Sequence, residues 1–444
     1  MRILFTQREL ILRAGSEMFT VEAARGLQRR GHEVVVWAQR YGDLARALQA
    51  YGIPVFRTLQ EIPWRPEVIH GQHHMQTMTA VAFFRGTPVI YHCHGKPWIA
   101  TPPRHRQIRH YIAMARDMVH EMETAHRVPR GDITVVNNSV NLERYQRTRT
   151  PAARITRAVV FGNNFFPGPE MDHLFALCRE RGIALDLVGL HLGNVHARPE
   201  HLLQDYDLAF AIGRCAIEAM ACGCAVIPLT TGMAGQMILP ENFERWAASN
   251  FAQRLHSPAE FVNGDWLSEE LAKYRPEAIT AVTQRLRTEY DLEQTISTLE
   301  SLYQKVIQMP PVSDDTEADI RELGLYLENL SLDVDLSYAT NVETHALSEQ
   351  RARYHQIQQP IREQKTEQAL HEEHNKQQKL QDRAQKLEAR VRSLEEKNNG
   401  LAAKWNTATK LLRGSWLGRL FLSRIRNATA GSSPKEPPAT GEKA

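Results

Sequence analysis

The stretch "AIGRCAIEAMACGCAVIPL", residues 211–229, places a Gly-Arg turn before a short helical pattern and closes on a β-branched run. One carboxylate, Glu218, stands inside the helical part, and small residues follow it. Read with the residues upstream, "YDLAFAIG" is a strand, "CAIEAMA" a helix and "CAVIPL" the next parallel strand. Gly213 and Arg214 then form a turn that aims free helix N–H groups beyond the carboxyl end of a strand, where phosphate is favoured. Arg214 adds a planar fork of donors suited to a diphosphate. Glu218, one turn further on, is placed to accept bonds from a pair of sugar hydroxyls, with ribose the natural candidate. By spacing alone an ordinary helix residue fits as well.

Working outward, residues 1 to about 308 repeat the same alternation of short β-branched runs and longer helical patterns, which signals parallel β/α units. In the first half "RILFT", "EVVVWA", "PVFR", "VIHGQ" and "PVIYHCHG" read as strands. "GSEMFTVEAARGLQRRGH" is a crossover helix with Phe19, Ala23, Ala24 and Leu27 on one face, and "ITVVNNSVNLERY" adds a last strand and a polar turn. A second series comprises "RAVVFGNN", "ALDLVG", "YDLAFAIG" and "CAVIPL". The expected fold is therefore α/β, with two facing Rossmann-like domains over residues 1–150 and 151–308. Ligands of such sheets bind beyond the carboxyl ends of the strands. That rule brings the loops "TQRELILRAGSE", "HCHGKPW", "GNNFFPGPE" and "AIGR" to one cleft.

Composition bounds the partners. The 444 residues carry 54 basic and 51 acidic side chains, a net charge of +3, so the chain as a whole is not patterned for nucleic acid. Its five cysteines lack the spacing of a zinc or redox site, which points to a reducing, cytoplasmic setting. "MRILFTQREL" has too short an apolar run for a signal peptide, and no run of apolar residues is long enough to span a bilayer. "DYD" at 205–207 falls at a helix-to-strand junction, where polar residues are expected without a metal.

Beyond residue 308 the composition shifts. Residues 309–344 hold nine acidic residues against one basic and open on Pro310 and Pro311, reading as an acidic linker. Residues 345–408 are rich in Gln, Glu, Lys and Arg. There Leu380, Leu387, Leu394 and Leu401 recur every seven residues, with Ala384, Val391, Asn398 and Trp405 four after them. This heptad predicts an α-helical coiled-coil tail and self-association through 380–405, with Asn398 at an a-type position. Residues 409–444 begin with a basic amphipathic stretch. Leu417, Phe421 and Ile425 lie at helical spacing among Arg413, Arg419, Arg424 and Arg426, which suits peripheral contact with the inner face of a membrane over 410–426. A Gly/Ser/Pro-rich end expected to be disordered follows.

"GRCAIEAMACGCAVI" resembles the nucleotide-sugar signature of the group 1, family 4-like retaining glycosyltransferases of the GT-B fold. Four other segments resemble that family in its own order: "ILRAGSEMFTVEAARGLQRRGHEVVVWA" its opening loop and first helix, "EVIHGQHHMQTMTAVAFFRGTPVIYHCHG" its His-containing strands, "DITVVNNSVNLERY" its turn before the domain boundary, and "YDLEQTISTLESLYQKVI" its closing helix, which crosses back to the first domain. The resemblance implies transfer of a sugar from a nucleotide-sugar donor to a glycan or lipid-linked acceptor, with no metal and no further cofactor. Bacterial surface polysaccharide synthesis is the expected context.

Carried over by position, Glu218 matches the family's ribose-binding carboxylate, and His94 matches the histidine near the transferred sugar, the expected catalytic group. Gly15, Ser16 and Glu17 match the opening loop, although Ser16 also fits a plain helix N-cap. Gly162, Asn163 and Asn164 stand at the diphosphate loop with Gly213 and Arg214. Two departures are visible. Phe210 stands where the family has its first carboxylate, and the uncharged Asn163 and Asn164 stand where it has cationic partners, which leaves Arg214 to balance the diphosphate. Of the other histidines, His70 and His92 read as strand residues with backbone partners. A nucleotide-sugar epimerase on the same fold, and a non-catalytic scaffold assembled through the coiled coil, are the rival readings.

Overall fold

The computed structural model describes the chain except residues 12, 96–97, 197, 231–232, 253–256, 259–263, 313–314, 415–418, 420–421 and 423–444, and except the side chains of 98, 257–258, 264 and 332–377. Met1–Asp333 form one compact unit and Val334–Ala444 another.

The first unit holds two lobes. In the first lobe, β1 (Arg2–Leu10), β2 (Glu33–Tyr41), β3 (Val55–Phe56), β4 (Val68–Gly71), β5 (Val89–Cys93), β6 (Ile108–Ala113) and β7 (Ile133–Val135) make one parallel sheet in the order β3-β2-β1-β4-β5-β6-β7. Helices α1 (Gly15–Arg29), α2 (Asp43–Ala50), α3 (His74–Phe83) and α4 (Val119–Thr124) connect the strands. The β-branched runs are long because both faces are covered. Along β2, Val34, Val36 and Ala38 enter one core while Val35 and Trp37 enter the other. Sequence patterning missed β6. Its Arg109 and His110 interrupt the apolar run, and the buried His110 finds a partner for its Nε2 in Thr134 Oγ1 at 2.8 Å.

In the second lobe, β8 (Arg157–Phe161), β9 (Ala184–Val188), β10 (Leu208–Phe210) and β11 (Ala225–Ile227) form a parallel sheet ordered β11-β10-β8-β9. All four coincide with strands expected from the sequence. Helices α5 (Pro169–Glu180), α6 (Pro199–Leu202) and α7 (Gly213–Ala221) belong to this sheet, and α8 (Phe243–Ala248), α9 (Gly264–Ala272) and α10 (Pro276–Glu289) follow. A small antiparallel sheet is made of β12 (Leu229–Thr230) and β13 (Met233–Ala234), which precede α8, and β14 (Ser257–Pro258), which follows it. Helix α7 stops at a left-handed Gly223, φ 89°, where a Cβ would stand 2.6 Å from the Arg149 carbonyl oxygen. Only glycine fits that turn.

The chain passes between the lobes twice, and the two crossings touch. Val140 N donates to Tyr290 O at 2.8 Å, and Leu292 N donates to Val140 O at 3.0 Å. Helix α11 (Leu292–Gln308) then sets Ile296, Leu299, Tyr303 and Val306 into the first lobe's core beside Ile3, Phe5 and Phe19.

The acidic segment differs from a linker. Helix α12 (Thr316–Arg413) starts within it, and its first turns dock on the first lobe. Asp319 accepts from Arg106 Nε at 2.6 Å and Arg85 Nη2 at 3.2 Å, and Glu322 accepts from the Arg106 backbone N–H at 2.7 Å. Leu323 and Tyr326 pack on the core that contains Tyr91, Ile108 and Tyr111. Among its described residues the β5–β6 connection carries only a short 3-10 turn, Trp98–Ala100, so a later helix covers a face that a crossover helix would otherwise fill. Acidity alone suggested a solvated tether; the arginines it meets come from distant sequence. Of the basic stretch 410–426, residues 415–418, 420–421 and 423–426, including Leu417, Phe421 and Ile425, lie outside the described residues. Among the described residues no helix is long and apolar enough to cross a membrane.

Candidate functional site

At the mouth of the second sheet only Ala211 and Ile212 separate β10 from α7. Gly213 enters the helix at φ 56°, its N–H donating to Phe251 O at 2.7 Å. Gly162, directly after β8, packs against the same turn: a Cβ there would lie 3.8 Å from Cys215 Sγ. A Cβ on Gly189 would fall 2.1 Å from the Gly162 carbonyl oxygen, so the loops after β8 and β9 meet backbone to backbone. Asn163 Oδ1 accepts from Leu190 N at 3.0 Å, and its Nδ2 donates to Arg13 O at 3.5 Å, reaching the first lobe. Asn164 is exposed, with its carbonyl accepting from Thr230 Oγ1 at 3.0 Å.

The charge at this mouth is arranged differently from the sequence expectation. Arg214 Nε donates to Glu218 Oε1 at 2.9 Å, and its Nη2 donates to Glu22 Oε2 at 2.6 Å. All three side chains are at most 10% exposed. Burial works against the guanidinium's charge, but Glu22 and Glu218 outweigh it and raise the Arg214 pKa above its ordinary value. Arg214 is thus not a spare cation awaiting a diphosphate. It joins α7 of one lobe to α1 of the other, and the trio carries one net negative charge. The buried Tyr145 hydroxyl lies beside Glu218; burial and that carboxylate push its pKa well up. Phe210 is fully buried in the second lobe's core and faces no site. With two residues between strand and helix, no loop remains to carry a first carboxylate.

The mouth of the first sheet is built from neutral rings. His94 stacks on His92 with centroids 3.9 Å apart and planes 25° apart. Phe19 of α1 meets His94 edge-on at 5.3 Å and His92 at 4.6 Å, and His70 stands 5.4 Å from His92. His70 Nδ1 bonds the Tyr303 hydroxyl of α11 at 2.7 Å. Burial lowers all three histidine pKa values, that of His70 to about 3, so the rings are uncharged at neutral pH. The backbone partners expected for His70 and His92 are absent: His70 pairs with a side chain, and both His92 nitrogens lack a partner, as does His94 Nε2.

Helix α1 joins the two mouths. Phe19 touches the histidines and Glu22, one turn on, reaches Arg214. In its first turn Gly15 is exposed with open space where a Cβ would stand, and the Ser16 hydroxyl donates to Glu17 Oε2 at 2.9 Å. The N-cap is Ala14, so Ser16 is not the cap that its residue type suggested. Burial pushes the Glu17 carboxyl up. Sequence reasoning missed Glu22, Tyr145 and Tyr303. The one usable signal was Glu22 itself, a carboxylate three residues after Phe19 on the helix's apolar side.

Asp207 of "DYD" is structurally occupied. Its carboxylate accepts from the backbone N–H groups of Thr156 and Arg157 at 2.8 and 2.9 Å and from Arg149 Nη2 at 2.6 Å. Burial raises its pKa, but these donors outweigh burial and hold it below the ordinary value. Among the described residues no group of three or more His, Cys, Asp or Glu side chains is arranged to hold a metal ion.

With this geometry in view, the chain can be set beside known proteins. Residues 13–144 match Glycosyltransferase Family 4. The matched segment runs from the loop after β1 through the polar turn after β7, and so contains α1 and the histidine strands. A glycosyltransferase from Rickettsia africae ESF-5 shares the fold at a TM-score of 0.51 and 12% identity, over 69% of this chain and 99% of that one. Anabaena Alr3699/HepE in complex with UDP aligns at 0.48 and 15%, covering 69% and 100%. WaaG, a glycosyltransferase involved in lipopolysaccharide biosynthesis, aligns at 0.45 and 13%, covering 68% and 99%. No curated protein sequence matches the chain significantly.

Proposed function

We propose that residues 1–308 form a glycosyltransferase that moves a sugar from a nucleoside-diphosphate-sugar to a glycan or lipid-linked acceptor, with retention and without a metal, in bacterial surface polysaccharide synthesis. The observation that carries this reading is Glu218. It lies buried within α7, at the ligand side of a parallel sheet, in the place where its segment resembles the family's ribose-binding carboxylate. The donor's ribose hydroxyls bond Glu218, and the diphosphate lies at the start of α7 against Gly162, Asn163 and Gly213. For the diphosphate to bond Arg214, Glu22 must yield its place on the guanidinium. In the transfer step the acceptor oxygen bonds the anomeric carbon as the bond to the diphosphate breaks. The bonding pair leaves with the diphosphate, which takes the acceptor proton on the same face. His94, neutral, accepts or donates a hydrogen bond at the sugar. Catalysis is then positioning and electrostatics.

The non-catalytic alternative draws on one observation, the pairing of Arg214 with two carboxylates, which leaves the diphosphate without a dedicated cation. Thermal-shift screening against nucleoside diphosphates and their sugars separates the two readings. A ligand at about 100 times its dissociation constant adds about 2.7 kcal/mol to stability. Stabilisation by one nucleotide class, lost in Glu218→Ala, together with slow donor hydrolysis, is the expected result. No stabilisation by any nucleotide would sink the donor site, and binding without hydrolysis or transfer would favour the scaffold.

A further inference from the structure

From residue 378 to residue 408 every residue of α12 is exposed. On this stretch Leu380, Leu387, Val391, Leu394, Leu401 and Trp405 are 52 to 66% exposed and form one continuous stripe. A stripe with a seven-residue period is the seam of a left-handed supercoil, and it needs a partner helix with the same period. We propose that the partner is the same segment of a second copy of this chain, lying parallel and in register.

The charges beside the seam select that arrangement. With the leucines at d, the g positions are Arg383, Arg390, Lys397 and Lys404, all basic. The e positions are Gln381, Glu388, Glu395 and Ala402, with no basic residue among them. In a parallel pair each g residue faces the e residue five places ahead on the other helix. Arg383 then meets Glu388 and Arg390 meets Glu395, twice each by the two-fold symmetry. An antiparallel pair sets g against g and e against e, which opposes arginines to lysines and glutamates to each other. Within its own helix Glu388 has only a loose partner, Arg392 at 3.9 Å, on a well-exposed pair.

Asn398 fixes the register. In a parallel, in-register pair its amide faces the Asn398 amide of the second copy and the two can bond. In an antiparallel pair centred on the stripe it faces Leu387 and is buried without a partner, which is costly. Every other layer of the parallel pair is apolar: leucine against leucine at d, and Ala384, Val391 and Trp405 at a.

The full chain, with a mass of 50.6 kDa, is examined by sedimentation equilibrium at micromolar concentration. A mass of two chains is expected, falling to one in Leu387→Asp with Leu394→Asp, both at exposed positions. Arg383→Glu with Arg390→Glu should weaken the dimer by about tenfold or more, from loss of exposed pairs and gain of repulsion. Adding Glu388→Arg and Glu395→Arg to that variant should restore it. Orientation is read from Leu401→Cys at one end of the seam, which gives a covalent dimer on mild oxidation, whereas the unsubstituted chain gives none. A monomeric full chain, a dimer that survives the two aspartates, a charge swap that fails to restore it, or a dimer that Leu401→Cys cannot cross-link would each overturn the proposal.

Discussion

Where the two lobes meet, the first presents stacked imidazoles that burial keeps neutral, and the second presents an arginine fixed between two carboxylates. Both mouths lie at the carboxyl ends of parallel strands, and both are buried, yet one avoids charge and the other concentrates it. The difference follows from where each group finds partners. His92 sits among rings, so desolvation decides its state. Arg214 receives a carboxylate from each lobe, so coulombic attraction outweighs the same desolvation. A sugar's hydroxyls suit the first environment, while a diphosphate must compete with carboxylates in the second.

The largest expected effect comes from breaking the charged mouth. Arg214→Met leaves Glu22 and Glu218 buried and unpaired, which should cost about 3–5 kcal/mol in urea melts. A loss under about 1 kcal/mol would mean that solvent already screens the trio.

The neutral mouth should respond to acid instead. His70 and His92 have folded pKa values below the unfolded value near 6.5, so the unfolded chain binds protons first as pH falls. Stability is complete above about pH 6.5 and declines below it, by up to about 1.4 kcal/mol per pH unit for each histidine. Urea melts at successively lower pH should show this slope, and His92→Phe should flatten it. An unchanged slope would place the acid sensitivity elsewhere.

A smaller loss is expected for Tyr303→Phe, which removes the hydroxyl bonded to His70 Nδ1 and should cost about 1–2 kcal/mol. Loss well below this would show that His70 keeps its position through ring packing alone.

The smallest effect has opposite signs in two assays. Glu22→Gln weakens the bond between the lobes, lowering stability, but removes a negative charge from the proposed diphosphate site. Nucleoside diphosphate affinity should rise by about fivefold, roughly 1 kcal/mol, in titration calorimetry. Weaker binding would show that the diphosphate does not reach Arg214.

Much of the fold was legible because parallel strands buried on both faces leave runs that few other structures explain. The four strands of the second sheet and the helix bearing Glu218 are examples. What escaped were elements whose polar residues find partners from afar. Strand β6 looks too polar until Thr134 meets His110. The acidic segment looks like a tether until Arg85 and Arg106 meet Asp319.

The candidate site divides the same way. Sequence by itself determined which residues stand at strand ends, since the order of strands and turns carries His94, Gly162 and Gly213 there, and Glu218 into the helix that follows, whatever their neighbours. It also determined the heptad of α12, because a seven-residue period needs no tertiary context. Only the tertiary structure decided which charges are free. Glu22 and Arg214 are 192 positions apart, and an ion pair between them depends on two lobes closing on one helix, a long-range contact that no local pattern encodes.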